Sequence, residues 1–167
     1  NLNMSKKIAI TTESSADISK KLQKELDVHV IPMTVLICDE EFKDGVDLTA
    51  SELYEKSELY GETPKTAGIS PNDYKLVFET LTNQGYDVVH VSISGKISSC
   101  LQNARFASNS FENVYVVDSL NLSAGMAMLV YEACRLRDSG ETAQAIAAEL
   151  EKLRLKISTS FILEDTS

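Results

Sequence analysis

The residues from 88 to 104 constrain the fold of this chain more than any other stretch. The apolar, β-branched run Val88–Ile93 favours a strand buried in a parallel sheet. A loop rich in serine and glycine follows, and Ser98 then suits the N-cap of a helix that continues to Phe106. Strand, loop and helix in this order place the loop at the carboxyl edge of a sheet. Open α/β sheets bind ligands at that edge, where free N–H groups of the following helix favour an anion.

Similar units recur along the chain, because apolar β-type runs alternate with segments whose apolar residues follow a helical period. Pro32 cannot donate to a sheet, so its run predicts an edge strand or a strand that begins after it. Residues Asp39–Gly45 predict a small hairpin with a turn. The predicted strands are Lys7–Thr12, Val28–Cys38, Val88–Ile93, Val114–Val117 and Ser158–Leu163, and the predicted helices are Ile18–Leu26, Thr49–Tyr60, Ser70–Gly85, Ser99–Phe106, Ser123–Asp138 and Thr142–Leu155. The alternation predicts an α/β fold with a mainly parallel sheet, right-handed crossovers and helices on both faces.

Length and charge narrow the classes of partner. A chain of 167 residues with 43% hydrophobic residues can bury one sizeable core, so we expect one domain. The formal charge of −9 argues against nucleic acid, because a nucleic-acid-binding protein needs a basic face. No apolar run approaches the roughly 20 residues of a membrane span, so no stable membrane insertion is expected. We expect a cytoplasmic protein in which Cys38, Cys100 and Cys134 are reduced thiols, since their number and spacing indicate neither a disulfide framework nor a zinc site.

The sequence contains no convincing catalytic constellation. His29 and His90 lie in apolar, strand-like runs, where a histidine is more often a satisfied core or edge residue than a base or a metal ligand. Ser94 lacks the G-x-S-x-G elbow of a serine hydrolase. Lys96 is not part of a P-loop, and no G-x-G-x-x-G exists for a dinucleotide. We therefore expect no catalytic residue, no metal and no cofactor.

Hydroxyl side chains are concentrated in four polar loops: Thr12–Asp17, Thr63–Ser70, Ser94–Ser99 and Asp118–Ser123. Two interpretations of these loops stay open. They form a site that holds an oxyanion through hydroxyls and backbone N–H groups, or the serines and threonines only cap helices and fill turns.

Four motifs, in order, resemble the signatures of the DegV family of bacterial fatty-acid-binding proteins. They are Ile10–Ile18 (ITTESSADI), Pro64–Pro71 (PKTAGISP), Ile93–Ala104 (ISGKISSCLQNA) and Val117–Ser119 (VDS). The resemblance implies a two-domain protein that holds the carboxylate of a long-chain fatty acid near the domain junction and its tail in an apolar tunnel. It also implies that the bound acid is presented to a separate fatty acid kinase, which makes an acyl phosphate, so the binding protein is itself no enzyme.

The resemblance also assigns residues. The carboxylate-contacting threonine of the family falls on Thr66 and its serine on Ser94. With the other polar loops included, the candidate ligand-binding residues are Thr66, Ser94, Ser14, Ser15, Gly95, Ser98 and Ser119. The candidate tail-lining residues, from the helices after these loops, are Ile97, Leu101, Met126 and Leu129, although an ordinary place in the core is the simpler interpretation of any one of them. Three motif positions differ from the family pattern: Glu13 stands for an aspartate, Thr66-Ala67 for Thr-Ser, and Ser98-Ser-Cys100 for Ser-Gly-Thr.

The family pattern continues past the end of this chain into a second domain with basic residues near the carboxylate. We therefore expect residues 4–167 to be an N-terminal α/β domain of a two-domain protein with the second domain absent, and Asn1–Asn3 to be a cloning remnant. Lys65 and Lys96 are the cations of the polar loops. With these two alone, we expect the chain to bind fatty acid much more weakly than a two-domain form. The alternative function is a small-molecule transferase that uses the same loops for a phosphate.

Overall fold

The computed structural model describes residues 7–165, and the side chains of residues 7–157. The predicted remnant Asn1–Asn3 lies outside this range. The strands are β1 (Lys7–Glu13), β2 (Val28–Ile31), β3 (Thr34–Ile37), β4 (Glu40–Lys43), β5 (Lys65–Ala67), β6 (Tyr86–Ser92) and β7 (Val114–Asp118). The helices are α1 (Lys20–Glu25), α2 (Ala50–Tyr60), α3 (Pro71–Asn83), α4 (Cys100–Ser108), α5 (Ser123–Asp138) and α6 (Ala143–Asp165).

Four parallel strands form the main sheet, in the order β2-β1-β6-β7. In β6 the β-branched residues Val88, Val89 and Val91 are fully buried, as its apolar run predicted. In the register of β1 and β6, Thr11 lies opposite His90. The edge position of β2 confirms one of the two alternatives predicted from Pro32, and the strand ends at Ile31, directly before the proline.

A second sheet, which the sequence did not predict, is antiparallel and has the order β4-β3-β5. The apolar run Val28–Cys38 is therefore not one strand, since Pro32 divides it between the two sheets. A hairpin joins β3 to β4 but lies earlier than predicted: its two-residue loop is Cys38–Asp39, at φ values of 47° and 65°, as a turn of primed type requires. The segment predicted as the hairpin, Asp39–Gly45, instead contains β4 and the start of the turn after it. The third strand, β5, was predicted as loop.

Helices cover both faces of the main sheet, as predicted. On one face α3 and α4 pack against each other and against β6 and β7. On the other face α5 packs against α6, and Arg137 of α5 donates to Leu26 O at the end of α1 over 2.7 Å. The largest fully buried side chains include Tyr74 and Phe78 of α3, Met126 and Leu129 of α5, and Ile146 and Leu150 of α6.

Two of the predicted helix N-caps are confirmed and a third is displaced by one residue. The capping box of α2 is confirmed, because Glu52 N–H donates to Thr49 Oγ1 and Thr49 N–H donates to Glu52 Oε1. Ser70 caps α3 as predicted, with proline at the first helical position. The prediction for α4 was wrong by one residue, since Ser99 occupies the cap without a side-chain bond and the Ser98 hydroxyl accepts from Cys100 N–H.

The predicted last strand, Ser158–Leu163, is wrong, because α6 continues through it to Asp165. Its β-branched and aromatic residues favour a strand by composition. No glycine or proline separates them from the helix that starts at Ala143, however, and extending an existing helix by one residue costs far less than starting a new element.

Candidate functional site

The loops after β1, β6 and β7 meet at the carboxyl edge of the main sheet, as the strand–loop–helix pattern predicted. Ser94 N–H donates to Asn121 O over 3.0 Å, which joins the loop after β6 to the loop after β7. Ser123 N–H donates to Ser15 O over 3.1 Å, which joins the start of α5 to the loop after β1. Three of the four polar loops therefore form one continuous surface.

The fourth polar loop reaches this surface from the small sheet. Thr66 lies on β5, and Gly68 packs so closely against Ser99 that a side chain at position 68 would collide with the Ser99 hydroxyl. Asn103 Nδ2 of α4 donates to Ile69 O over 2.8 Å, and Ile69 N–H points to Cys100 Sγ at 3.4 Å. The segment after Thr66 is thus fastened to the segment after Ser94.

Hydrogen-bond roles separate the candidate serines. A carboxylate ligand only accepts hydrogen bonds, so a serine contributes only if its O–H hydrogen is free. The hydroxyl oxygens of Ser94, Ser14 and Ser98 each accept from a backbone N–H, and within residues 7–157 none of the three donates its own hydrogen. Ser119, in contrast, is buried and already donates to Asn121 O. Ser15 donates to Met126 Sδ over 3.4 Å, which is a weak bond.

Thr66 and Gly95 face solvent. Among the described residues, neither the Thr66 hydroxyl nor the Gly95 N–H has a hydrogen-bond partner. Both can therefore donate to an anion without breaking an existing contact. Ser94, by comparison, is only 4% exposed and lies at the base of this surface.

The candidate tail-lining residues occupy two different environments. Ile97 is 55% exposed beside the Ser94 loop, and Leu101 is buried against Gly95. Met126 and Leu129 are fully buried in the main hydrophobic core. Ile97 and Leu101 border the polar surface at the Ser94 loop, whereas Met126 meets it through its sulfur at the Ser15 hydroxyl.

A cleft of about 300 Å³ opens beside Ser14. Lys20 Nζ donates to Gly45 O over 2.6 Å, linking two residues of its wall. The apolar part of its lining consists of Ala16, Ile18, Val30, Pro32, Val46 and Ala50. This cleft is a second apolar surface adjoining the polar loops, and the sequence did not point to it.

A third cation approaches the sheet edge in addition to Lys65 and Lys96, which are both exposed. Arg154 of α6 donates from a terminal nitrogen to Asp118 O, at the end of β7, over 3.0 Å. Its Nε atom is buried and has no acceptor among the side chains that the structure describes. Sequence reasoning missed this residue because it lies on a helix that returns to the edge 36 residues later.

Behind the polar surface lies a buried network centred on Glu13, the last residue of β1. Glu13 Oε2 accepts from the Tyr74 hydroxyl at 2.7 Å and from the Ser92 hydroxyl at 3.0 Å, and lies 2.6 Å from His90 Nε2. Glu13 Oε1 accepts from Ile93 N–H at 2.8 Å. Glu13, His90 and Ser92 are all 0% exposed.

The network holds Glu13 in its charged form. Burial by itself raises the pKa of Glu13, but the nearby His90 and the hydrogen bonds from His90, Tyr74 and Ile93 outweigh it, so the pKa lies below its ordinary value. Burial and the Glu13 charge raise the pKa of Tyr74, which stays a donor. Since an ionised carboxylate only accepts, the hydrogen between Glu13 and His90 belongs to His90 Nε2.

The chain of Thr11, His90 and Glu13 has the order hydroxyl, imidazole and carboxylate, with Thr11 Oγ1 2.7 Å from His90 Nδ1. It is not arranged for nucleophilic catalysis, because Thr11 is 0% exposed and no substrate can reach its hydroxyl. The prediction that His90 is a satisfied core residue is confirmed. The network was not predicted from the sequence, although its polar residues recur at every second position of two apolar strands, which places them on one face of the sheet.

No group of three or more His, Cys, Asp or Glu side chains suited to a metal ion occurs among the described residues. Within the same residues, no helix has the length and apolar character needed to span a bilayer.

Relatives of the chain are bacterial proteins that are longer than the chain itself. A DegV domain-containing protein of Clostridium perfringens is 30% identical over 160 residues, which are 95% of this chain and 57% of that protein. One from Halalkalibacterium halodurans is 32% identical over 164 residues, covering 96% of this chain and 58% of that protein. The chain thus spans a little over half the length of these relatives.

Solved structures resemble the chain to a similar extent. A fatty-acid-binding DegV family protein from Thermus thermophilus is 32% identical with a TM-score of 0.80, over 89% of this chain and 53% of that one. DegV of Bacillus subtilis, a fatty acid binding protein, is 25% identical with a TM-score of 0.82, over 90% and 54%. A stearic-acid-binding protein from Eubacterium ventriosum is 27% identical with a TM-score of 0.78, over 89% and 52%.

The family model that matches is that of the DegV family, described as uncharacterised proteins, and it matches residues 7–167. Its span includes the whole sheet edge and all four polar loops. The chain belongs to the DegV family.

Proposed function

We propose that this chain is a cytoplasmic lipid-binding protein that holds the carboxylate of a long-chain fatty acid at the polar loops of the sheet edge. The observation that carries the proposal is the contact between the Thr66 and Ser94 segments, through Gly68 and Ser99 on one side and Ile69 and Asn103 on the other. Fatty-acid binding by the relatives from T. thermophilus and B. subtilis supports it.

Thr66 and Ser94 donate their hydroxyl hydrogens to the carboxylate, and Gly95 adds its N–H. Each of these donors is free among the described residues, and hydrogen bonds to a charged group contribute about 1.5–3 kcal/mol each. Ser14 and Ser98 border the same anion, and Ser15 and Ser119 maintain the shape of the neighbouring loops. We propose no catalytic role for any of these residues.

The tail runs over Ile97 and Leu101, which leave the polar surface on the α4 side. Each methylene that becomes covered contributes roughly 0.8 kcal/mol, so affinity increases with chain length where the tail is covered. Met126 and Leu129 support this wall from the core.

Bound acid is then presented to a separate fatty acid kinase, which transfers phosphate to the carboxylate. The test of this step is formation of acyl phosphate from protein-bound acid when ATP and such a kinase are added, with no product when the kinase is omitted.

Binding itself is tested with Thr66→Ala and Ser94→Ala. We expect each to weaken stearate binding by about tenfold, the equivalent of about 1.4 kcal/mol for one lost hydrogen bond to a carboxylate. The measurement is a fluorescence or calorimetric titration below the micelle concentration of the acid, after organic extraction of co-purified lipid. The matched controls are Thr80→Ala and Ser110→Ala, exposed residues outside the four polar loops, which should leave affinity within about twofold. Absence of stearate binding by the parent chain contradicts the proposal, and so does equal affinity in all four variants.

The tail path is tested with Leu101→Trp, and the alternative path with Val30→Trp in the cleft beside Ser14. We expect the Leu101 variant to lose affinity for long acids more than for short ones, while the Val30 variant does not discriminate by length. A length-dependent loss in the Val30 variant instead would place the tail in the cleft.

A further inference from the structure

The side chain of Glu13 joins three of the segments that carry the polar surface. It belongs to β1 directly ahead of Ser14. Its Oε1 accepts from Ile93 N–H, one residue ahead of Ser94. Its Oε2 accepts from Tyr74 on α3, the helix that follows the Thr66 segment. A single buried group therefore contacts elements whose loops reach the edge from three directions.

We propose that Glu13 is a positioning residue for the carboxylate site, and that it sets affinity through the placement of Ser94 without contacting the ligand. This inference rests on the proposed function. Its physical basis is the backbone bond at Ile93: a charge-assisted hydrogen bond of 2.8 Å fixes that peptide group, and the Ser94 Cα follows one peptide unit, about 3.8 Å, further on.

The Ser94 segment is restrained from the opposite direction as well. Ser94 N–H donates to Asn121 O over 3.0 Å, and Ser94 O accepts from Ile97 N–H over 3.0 Å. The hydroxyl hydrogen of Ser94 remains free for a ligand, whereas the backbone on both sides of it is bonded. Among residues 7–157, Glu13 is the only charged side chain that makes one of these hydrogen bonds to the backbone around Ser94.

The length of the Glu13 side chain determines whether it can bridge the strands. Aspartate retains the charge but withdraws the carboxylate by one methylene, about 1.5 Å, so contacts of 2.7 and 2.8 Å to Tyr74 and Ile93 cannot both persist. Glutamine retains the length and one acceptor oxygen but removes the charge.

The experiment compares the parent chain with Glu13→Asp, Glu13→Gln and the control Glu112→Asp, an exposed residue in the loop before β7. Each protein is titrated with stearate and with stearyl alcohol, which has the same tail without a carboxylate. We expect the preference of the parent chain for stearate over the alcohol to fall about tenfold in Glu13→Asp and less in Glu13→Gln, with Glu112→Asp unchanged. The amide signals of Ile93 and Ser94 should move in the ¹H–¹⁵N spectrum of the ligand-free Glu13→Asp protein.

The outcomes separate this inference from the proposed function. A parent chain that does not bind stearate overturns the proposed function. A parent chain that binds stearate, with Glu13 variants that retain its preference or lose both ligands equally, overturns the positioning role alone, because a purely structural residue weakens both ligands alike. If the Glu13 variants do not fold, Tyr74→Phe serves in their place, since it removes one donor and leaves the Ile93 bond. About a threefold loss of preference is then expected, and no loss overturns the inference.

Discussion

A carboxylate removed from water needs donors inside the protein, and Glu13 has contacts to Tyr74, His90, Ser92 and Ile93. Burying such a charge without partners would cost several kcal/mol, so the residues around it are as constrained as Glu13 itself. Each partner belongs to an element that also shapes the sheet edge. Substitutions here therefore affect stability and the site together.

Stability should depend on the charge of Glu13 at acidic pH. Its pKa in the folded chain is below the ordinary value of 4.5, so its stabilising contribution is complete above that value and is lost as pH falls through the lowered pKa. We expect the difference in free energy of unfolding between the parent chain and Glu13→Gln to be constant above about pH 5 and to shrink at lower pH.

Urea denaturation at a series of pH values, followed by circular dichroism, measures this difference. His90 and Tyr74 are the titratable side chains that contact Glu13. The same comparison with the exposed Glu112→Gln should give no such trend. A difference that persists unchanged to about pH 3 would mean that the network does not favour the ionised carboxylate.

At the scale of secondary structure elements, short sequence motifs predicted the features that depend only on neighbouring residues, namely helix starts and one buried strand. The Thr49–Glu52 capping box, the proline after Ser70 and the β-branched run of β6 each act within a few residues, and each prediction is confirmed. The second sheet was not predictable in this way, because three-residue β5 has no strand signal of its own and is a strand only through pairing with β3. The end of α6 was missed for the converse reason, since composition favoured a strand where the helix simply continues.

The candidate site also has parts that the sequence predicted and parts that depend on tertiary packing. Its polar loops could be predicted because loops after parallel strands share one edge. The Glu13–His90 pair joins residues 77 positions apart and depends on the register of β1 and β6, which no local pattern determines. Arg154 depends likewise on how α6 packs.

Gly125, in the first turn of α5, supports the loop after β7. A side chain there would collide with the Asn121 amide, whose Cγ would lie 2.8 Å from the new Cβ. Asn121 cannot easily retreat, because its side chain donates to Ser119 O over 2.8 Å. We expect Gly125→Ala to lower the free energy of unfolding by about 1–2 kcal/mol, since overpacking costs about 1–3 kcal/mol and exceeds the gain of up to about 1 kcal/mol in helix propensity.

A double-mutant cycle with Asn121→Ala measures this collision directly. In the Asn121→Ala background the same glycine substitution should be neutral or stabilising, because the obstructing amide is gone. Equal destabilisation in both backgrounds would place the strain elsewhere in α5.

At the scale of the whole molecule, the formal charge of −9 opposes the approach of an anionic ligand. Salt screens distant charges before near ones: the Debye length falls from about 30 Å at 0.01 M to about 8 Å at 0.15 M. We therefore expect stearate affinity to rise about two- to threefold over this range, relative to stearyl alcohol, which corrects for the effect of salt on the tail. A relative affinity that falls with salt would show that Lys65, Lys96 and Arg154 dominate the field at the site.

Thr66 lies in the antiparallel sheet, whereas Ser94 lies in the loop that follows β6 of the parallel sheet. A carboxylate that hydrogen-bonds to both residues restricts the motion of the two sheets relative to each other. The entropy lost by this restriction reduces the observed affinity. The affinity for the ligand then depends on how rigidly the two sheets are joined as well as on the hydrogen bonds to the carboxylate. A change that tightens the junction between the sheets, far from any ligand atom, would strengthen binding by removing motion that the ligand must otherwise suppress.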